Sequence, residues 1–180
     1  MIFLEWLLFF CVPAAIAIGV AKRQRTFKER GITIHVALVV SILILILAGA
    51  HLHFSFQLYA FIILLIISAL CLVLLRSIGA IYIISSVIQQ ACLLLAGALL
   101  AQASGIIIAA CASSIVFSLG HLIEPRHWRI KLPITFIWGI GSILIYSNLQ
   151  QPMLNLAIHI LGGTILIYYG VSYEELRKKE

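Results

Sequence analysis

Charged side chains are scarce in this sequence. Asp, Glu, Lys and Arg make up only 10% of the 180 residues, whereas 63% are hydrophobic and the mean hydropathy is +1.17. A soluble domain carries charge on about a quarter of its residues, so this chain lacks the polar surface that a water-soluble fold requires. The shortage excludes a soluble enzyme and a soluble binding module.

Linkers, low-complexity stretches and internal repeats are absent as well, which excludes a string of domains and a repeat architecture. No zinc or haem-attachment motif is present, so the sequence predicts no metal and no cofactor. The cysteines lie inside apolar runs without metal spacing, and we interpret them as small buried hydrophobic residues. They are Cys11, Cys71, Cys92 and Cys111.

Long apolar runs are what the sequence has instead. A helix of about 20 apolar residues satisfies its own backbone across the hydrocarbon of a bilayer. We therefore predict an all-α membrane protein with about seven transmembrane helices, surrounded by the lipid bilayer. The runs cover residues 2–21, 32–50, 54–75, 78–100, 104–124, 131–147 and 152–171.

The count of seven spans assigns every basic residue to the same side of the membrane. All twelve fall on one side, which the positive-inside rule makes the cytoplasm, so the N-terminus is outside and the C-terminus cytoplasmic. The net charge of +6 then reflects topology and predicts no nucleic-acid partner. The compact, loop-poor design favours a bacterial inner membrane. The twelve are Lys22, Arg23, Arg25, Lys28, Arg30, Arg76, Arg126, Arg129, Lys131, Arg177, Lys178 and Lys179.

Side-chain size divides the chain into three regions. Residues 1–79 hold three greasy, nearly featureless spans that we expect to face lipid or to pack. Residues 80–172 contain many small side chains, which let helix backbones approach closely, and we predict a tight four-helix core there. Residues 173–180 form a cytoplasmic tail.

Polar residues inside the predicted core are candidates for function, because a polar side chain is costly in a bilayer. Gln89 and Gln90 lie in the fourth span, His121 lies near the end of the fifth, and His159 lies near the middle of the seventh. Neighbours on a helix point about 100° apart, so at most one glutamine can face a common centre with the histidines. Hydrogen bonding between helices is the simpler alternative for each of them.

The sequence around the first of these histidines resembles a known motif. The stretch "SSIVFSLGHL", with Phe117 and His121, resembles the Phe-x-x-x-His motif of the CPBP family of intramembrane proteases, which includes the CAAX-processing and bacteriocin-processing (Abi) proteins. His159 matches the histidine of the following motif, after a glycine-bearing helix and an outward turn. The resemblance covers about residues 80–165 and implies a CPBP-like core in the last four spans.

The chain departs from that family at the motif positions that are responsible for catalysis. The family's Glu-Glu-x-x-x-Arg motif is replaced by "QQACLL", and Gly163 replaces an Asn or Asp. In the family a glutamate assisted by histidines is thought to activate water, and a glutamine amide cannot act as that base. The positions equivalent to catalytic residues are His121, His159, Gln89 and Gln90, supported by Phe117, Leu94 and Gly163.

These departures favour a catalytically inactive protein that binds another integral membrane protein, as a scaffold, an assembly factor or a small subunit of a membrane complex. An active CAAX-type intramembrane endopeptidase is the alternative, and Glu124 is the carboxylate that it would need. A transporter would need charged midplane residues that are mostly missing. A further alternative is a haem- or chlorophyll-type pigment-binding subunit, with ligands among His35, His51, His53, His121 and His159.

Overall fold

The computed structural model describes residues 2–24, 26–52, 57–121 and 127–171, and within those ranges the chain forms helices and no strand. The prediction of an all-α chain is therefore confirmed for this part of the sequence. Apolar runs become helices because a helix pairs its backbone N–H and C=O groups internally. His53, Glu124, Arg126 and the tail at 173–180 lie outside the described residues.

Local signals explain several helix boundaries. Thr26 caps its helix reciprocally with Glu29: the Thr26 hydroxyl accepts from the Glu29 backbone N–H, and the Glu29 carboxylate accepts from the Thr26 N–H, both at 3.2 Å. Pro152 opens the last helix, where a missing N–H costs nothing. The described helices are α1 (Ile2–Trp6), α2 (Val12–Ala21), α3 (Phe27–Leu47), α4 (Leu58–Ser104), α5 (Ile106–Gly120), α6 (Trp128–Leu149) and α7 (Pro152–Tyr168), and a π-helical turn (Leu7–Cys11) joins α1 to α2.

Helix α4 is not one straight rod. Arg76 has φ 50° and ψ −124°, which is not a helical conformation, and the Cys71 Sγ atom lies 3.8 Å from the carbonyl oxygen of Gly79. Residues eight apart in a straight helix are separated by about 12 Å, so the chain folds back at Arg76. A Cβ atom at Gly79 would lie 2.7 Å from the Cys71 carbonyl oxygen, and only glycine allows this approach. We call residues 58–75 the first arm of α4 and residues 77–104 its second arm.

Among the described residues, four helical segments are long and apolar enough to cross a membrane, and α5 and α7 are shorter apolar helices. The outer surface is apolar too: Val73, Ile107 and Ile137 are 76%, 71% and 69% exposed. Apolar surface of this extent suits contact with lipid rather than with water. The count of seven spans and the topology stay predictions. The four long segments are Ile2–Ala21, Glu29–Leu47, Leu58–Ser104 and Trp128–Leu149.

The C-terminal helices are packed as two pairs. Helix α7 packs against α4, where Ile160 and Ile167 share a buried cluster with Cys71 from the first arm. At the start of α7, the Tyr59 hydroxyl donates a hydrogen bond of 2.7 Å to the Gln151 side-chain oxygen. Helix α5 packs against α6. This arrangement brings the second arm of α4, α5, α6 and α7 around one centre.

Small residues set the spacing between α5 and α6. Gly139 is buried against Ser114, and a Cβ atom at position 139 would lie 2.6 Å from the Ser114 hydroxyl oxygen and 3.2 Å from its Cα atom. The N-terminal helices are tied to the same region, because the Trp6 indole N–H donates to the Ser113 hydroxyl at 3.2 Å. The close approach of α5 and α6 therefore depends on glycine at position 139.

We expect Gly139→Ala to lower the thermal midpoint of unfolding in detergent, because the added methyl group pushes α6 away from α5. Overpacking of this kind costs about 1–3 kcal/mol. Gly141→Ala is the matched control, since a Cβ atom there meets nothing within 4 Å and alanine is the better helix former. A Gly139→Ala midpoint equal to that of Gly141→Ala would contradict the close contact.

Candidate functional site

Gln90 and His159 meet at the centre of the packed helices. Gln90 lies on the second arm of α4 and is 3% exposed, and His159 lies in the middle of α7 and is 7% exposed. The His159 Nδ1–H group donates to the Gln90 Oε1 atom at 2.8 Å. The bond pairs the Gln90 oxygen with the His159 N–H group and ties α4 to α7, whereas the buried Gln90 amide nitrogen has no hydrogen-bond partner among the described residues.

Phe117 lies between the two histidines of the predicted site. Its ring centroid is 4.9 Å from that of His121 and 6.1 Å from that of His159, and both contacts are edge-on. The His121 Nδ1–H group donates to the Phe117 carbonyl oxygen at 3.0 Å, which orients the ring at the end of α5. The Trp138 ring, 5.6 Å from His159, packs against that imidazole from α6. Aromatic rings thus fix the positions of both imidazoles.

Gln89 faces a different partner from Gln90, as the helical angle between neighbours requires. The Gln89 amide N–H donates to the Ser85 hydroxyl oxygen at 2.7 Å, and that hydroxyl lies 2.7 Å from Nε2 of His35. The His35 Nδ1–H group donates to the Gly31 carbonyl oxygen at 2.6 Å. The Ser85 hydroxyl therefore donates to His35, and a chain of hydrogen bonds joins α4 to α3.

Several of these residues line a cavity of about 410 Å³, and Gln90 is not among them. We call it the histidine cavity, because His35, His121 and His159 all line it, together with Gln89 and Phe117. The rest of the wall is mainly apolar and comes from the π-helical turn and from helices α2 to α7. Its size falls within the range of about 300–1,000 Å³ that is usual for small-molecule sites.

Two cations also line the histidine cavity. Arg30 lies in the first turn of α3, and Lys131, which is 2% exposed, lies in the first turn of α6. Among the lining residues that the structure describes, none is acidic. Two basic residues therefore line the cavity at the N-terminal ends of α3 and α6.

The two remaining predicted positions have clear structural roles. Gly163 lines the cavity beside Tyr82, and a Cβ atom at position 163 would lie 1.6 Å from the Tyr82 hydroxyl oxygen. That hydroxyl donates to the His159 carbonyl oxygen at 3.0 Å. Leu94 is 2% exposed and lies in an apolar cluster with Ile143, away from the cavity wall. A larger residue is excluded at 163, and a charged one is unsuited to 94.

Beside the two basic residues, the cavity wall presents the imidazoles of His35, His121 and His159 and the amide of Gln89. Each of the three histidines has Nδ1 next to an oxygen acceptor, so each keeps its basic lone pair on Nε2. The glutamine amides are neutral and can only donate or accept hydrogen bonds. No group of three or more His, Cys, Asp or Glu side chains among the described residues could hold a metal ion. The arrangement can donate and accept hydrogen bonds.

Several cavity residues were missed by the sequence analysis. Lys131 was interpreted only as a marker of topology, and His35 was considered only as a pigment ligand, in a span that was expected to be featureless. Tyr82 and Trp138 received no role. The one available signal was the presence of a lone histidine within an apolar run, which applied to His35 as much as to His159. Of the other proposed pigment ligands, His51 is exposed and lies outside the cavity wall.

Comparison of the chain with protein-family models, with curated proteins and with solved structures finds no match. The resemblance of residues 80–165 to the CPBP family stays a prediction. Functional interpretation therefore rests on the geometry of the histidine cavity and on the motif residues around it.

We expect Gln90→Leu to lower the thermal midpoint, because it leaves the His159 Nδ1–H group buried without an acceptor. An unsatisfied buried group costs about 1–3 kcal/mol. Gln89→Leu should cost less, since Gln89 is half-buried and Ser85 keeps its bond to His35. A Gln90→Leu midpoint equal to that of the wild type would show that the Gln90–His159 bond does not contribute to stability.

We expect Gly163→Ala to destabilise the protein by displacing the Tyr82 ring. Gly162→Ala is the control on the same helix, because a Cβ atom there meets nothing within 4 Å. In a Tyr82→Leu background the Gly163→Ala change should cost less, which a double-mutant cycle of thermal or denaturant unfolding would measure. Equal costs in the two backgrounds would show that Tyr82 is not the obstacle.

Proposed function

We propose that this chain is a catalytically inactive, multi-pass membrane protein with a CPBP-like core. It acts by binding another integral membrane protein, as a scaffold, an assembly factor or a small subunit of a membrane complex. The observation that carries the proposal is the hydrogen bond between Gln90 and His159. It occupies the place where the CPBP resemblance implies a glutamate assisted by a histidine.

The fold-back of α4 supports the count of seven spans. Its two arms, 58–75 and 77–104, follow the predicted third and fourth runs, and Arg76 lies between them. In a seven-span chain, Arg76 lies on the same side of the membrane as the other basic residues, as the positive-inside rule requires. Localisation in a bacterial inner membrane, with the N-terminus outside, follows from this topology and belongs to the same proposal.

The replacement of glutamate by glutamine explains the loss of hydrolysis. A general base must accept a proton from water, and an amide cannot do so at physiological pH. Loss of a general base alone costs a factor of about 10² to 10⁴ in rate. An amide still accepts the hydrogen bond from His159 without placing a charge in the apolar core. Gln90 therefore keeps the hydrogen bond that a glutamate would accept and lacks the capacity of a glutamate to act as a base.

Two further departures point the same way. The Tyr82 hydroxyl lies where a side chain at position 163 would begin, so the polar residue that the family places there has no room. Leu94, at the position of the family's arginine, is buried among apolar side chains. Packed side chains thus occupy the space that the family's polar residue and arginine would need, which supports a binding role over a hydrolytic one.

Partner binding within the bilayer is favoured by the shape of the chain. Connections between the described helices are short, and most exposed residues on the helices are large and apolar. Such a surface offers lateral contacts to another membrane protein and few contacts to a soluble one.

Purification from the native host in mild detergent, followed by mass spectrometry and an absorbance scan, tests the proposal. We expect a colourless preparation that contains one other integral membrane protein at constant stoichiometry. A visible band of a bound tetrapyrrole would instead support a pigment-binding subunit with ligands among His35, His121 and His159. A bare chain would contradict the subunit proposal.

A peptide-cleavage screen provides the second arm of that test. We expect the purified chain to cleave no membrane-anchored peptide, because the described cavity wall holds no carboxylate. Cleavage that disappears in His121→Ala, His159→Ala and Glu124→Gln would establish an active endopeptidase. Arg129→Gln, on an exposed residue outside the cavity wall, is the control for general damage.

A further inference from the structure

Most polar side chains that line the histidine cavity already have partners within the protein. Both ring nitrogens of His35 are hydrogen-bonded, one to the Gly31 carbonyl oxygen and the other to the Ser85 hydroxyl. The hydroxyl groups of Tyr82 and Thr135 donate to backbone carbonyl oxygens. These groups are therefore engaged by the fold itself.

The charged residues and two of the rings are not assigned to a ligand either. Arg30, His121 and Lys131 have interactions of their own within the protein. The Trp138 indole N–H group is buried inside the wall, out of reach of a molecule in the cavity. Recognition of a ligand must then come from the polar groups that remain.

His159 has one ring nitrogen left for a ligand. Its Nδ1–H group donates to Gln90, which is not part of the cavity wall, whereas His159 itself lines the cavity. The Nε2 atom has no hydrogen-bond partner among the described residues. With the proton on Nδ1, Nε2 carries a lone pair and can only accept a hydrogen bond. His159 thus offers the cavity an acceptor on a side chain that is 7% exposed.

Ser41 and Gln89 provide the other polar groups of the wall that lack partners. Ser41 lines the cavity and is 2% exposed, and its hydroxyl has no partner in the part of the chain that the structure describes. The Gln89 amide nitrogen donates to Ser85, but no described group donates to the Gln89 side-chain oxygen. The unpaired groups of the wall are therefore two acceptors and one hydroxyl, and none of them is charged.

We propose that the histidine cavity binds an uncharged lipid whose polar group is a hydroxyl, such as a long-chain alcohol. The hydroxyl donates to Nε2 of His159, and the apolar part of the lipid packs against a wall that includes Phe10, Leu38 and Val116. The cavity is built from this chain alone. The proposal therefore goes beyond the binding of a membrane partner and does not depend on it.

The need for a donor is what selects the polar group. A hydroxyl can donate to the lone pair of Nε2, whereas the oxygen of an ether, an ester or a ketone only accepts and leaves Nε2 unpaired. A carboxylate also brings only acceptor oxygens to this position, and its charge is costly to transfer into a mainly apolar cavity.

Trp138 supplies a reporter beside the proposed site. Its ring centroid is 5.6 Å from that of His159, and it lines the cavity, whereas Trp6 and Trp128 do not. The purified protein is reconstituted in a zwitterionic bilayer and titrated with a bromododecanol that has bromine on the carbon next to the hydroxyl-bearing carbon. Bromine quenches indole fluorescence on contact, and the part of the quenching that Trp138→Phe removes measures occupancy of the cavity.

The methyl ether of the same bromododecanol is the matched probe, because it keeps the chain and the oxygen but cannot donate. With both probes expressed as mole fractions in the bilayer, we expect the alcohol to quench Trp138 saturably and to half-saturate at a mole fraction lower by about three- to tenfold than the ether.

A double variant, Gln90→Leu with His159→Phe, tests the assigned acceptor. It removes both partners of the buried bond, which is better tolerated than removal of one, because neither is left unpaired. We expect this variant to bind the alcohol and the ether equally. His51→Phe removes an exposed imidazole outside the cavity wall and should keep the preference for the alcohol.

Equal binding of the two probes by the wild type would overturn the proposal, since it would show an apolar cleft without an acceptor. Tighter binding of the ether would also contradict it, because it would place the proton on Nε2. Absence of saturable quenching of Trp138, or a preference for the alcohol that survives in the double variant, would do the same. The comparison in the wild type decides the matter even if the double variant does not fold, and the result is independent of any copurifying partner.

Discussion

A polar side chain between membrane helices gains most from a partner within the protein, because hydrocarbon offers none. The Gln90–His159 bond, the Gln89–Ser85–His35 chain and the Trp6–Ser113 bond all supply such partners. Each joins helices that are distant in sequence. The polar residues therefore determine which helices are neighbours, and apolar packing alone would leave that choice open.

Close packing provides the second half of the architecture. Gly139 leaves room for the Ser114 side chain, and Gly163 leaves room for the Tyr82 hydroxyl group. Gly79 lets the two arms of α4 approach each other next to the turn at Arg76. Where no hydrophobic effect draws helices together, such small residues let backbones approach closely enough for dispersion and hydrogen bonds to act.

The same features account for the proposed function. A catalytic site needs a group that changes its protonation state, and the buried amide of Gln90 does not. A binding site needs shape and complementary chemistry, and the histidine cavity has a mainly apolar wall that also includes Arg30 and Lys131. The proposed loss of a carboxylate is therefore compatible with a cavity in the same bundle, because binding asks less of the polar residues than hydrolysis does.

The sequence by itself determined the class of the protein and the helical runs, since backbone pairing in an apolar chain is a local requirement that composition reveals. It also singled out Gln90 and His159, because polar residues stand out in such runs. Only the tertiary structure decided that Gln90 faces His159 while Gln89 faces Ser85, and that Lys131 lines the cavity. The rotation and depth of each helix depend on how all the helices pack together, and the sequence of a single apolar run does not contain that information.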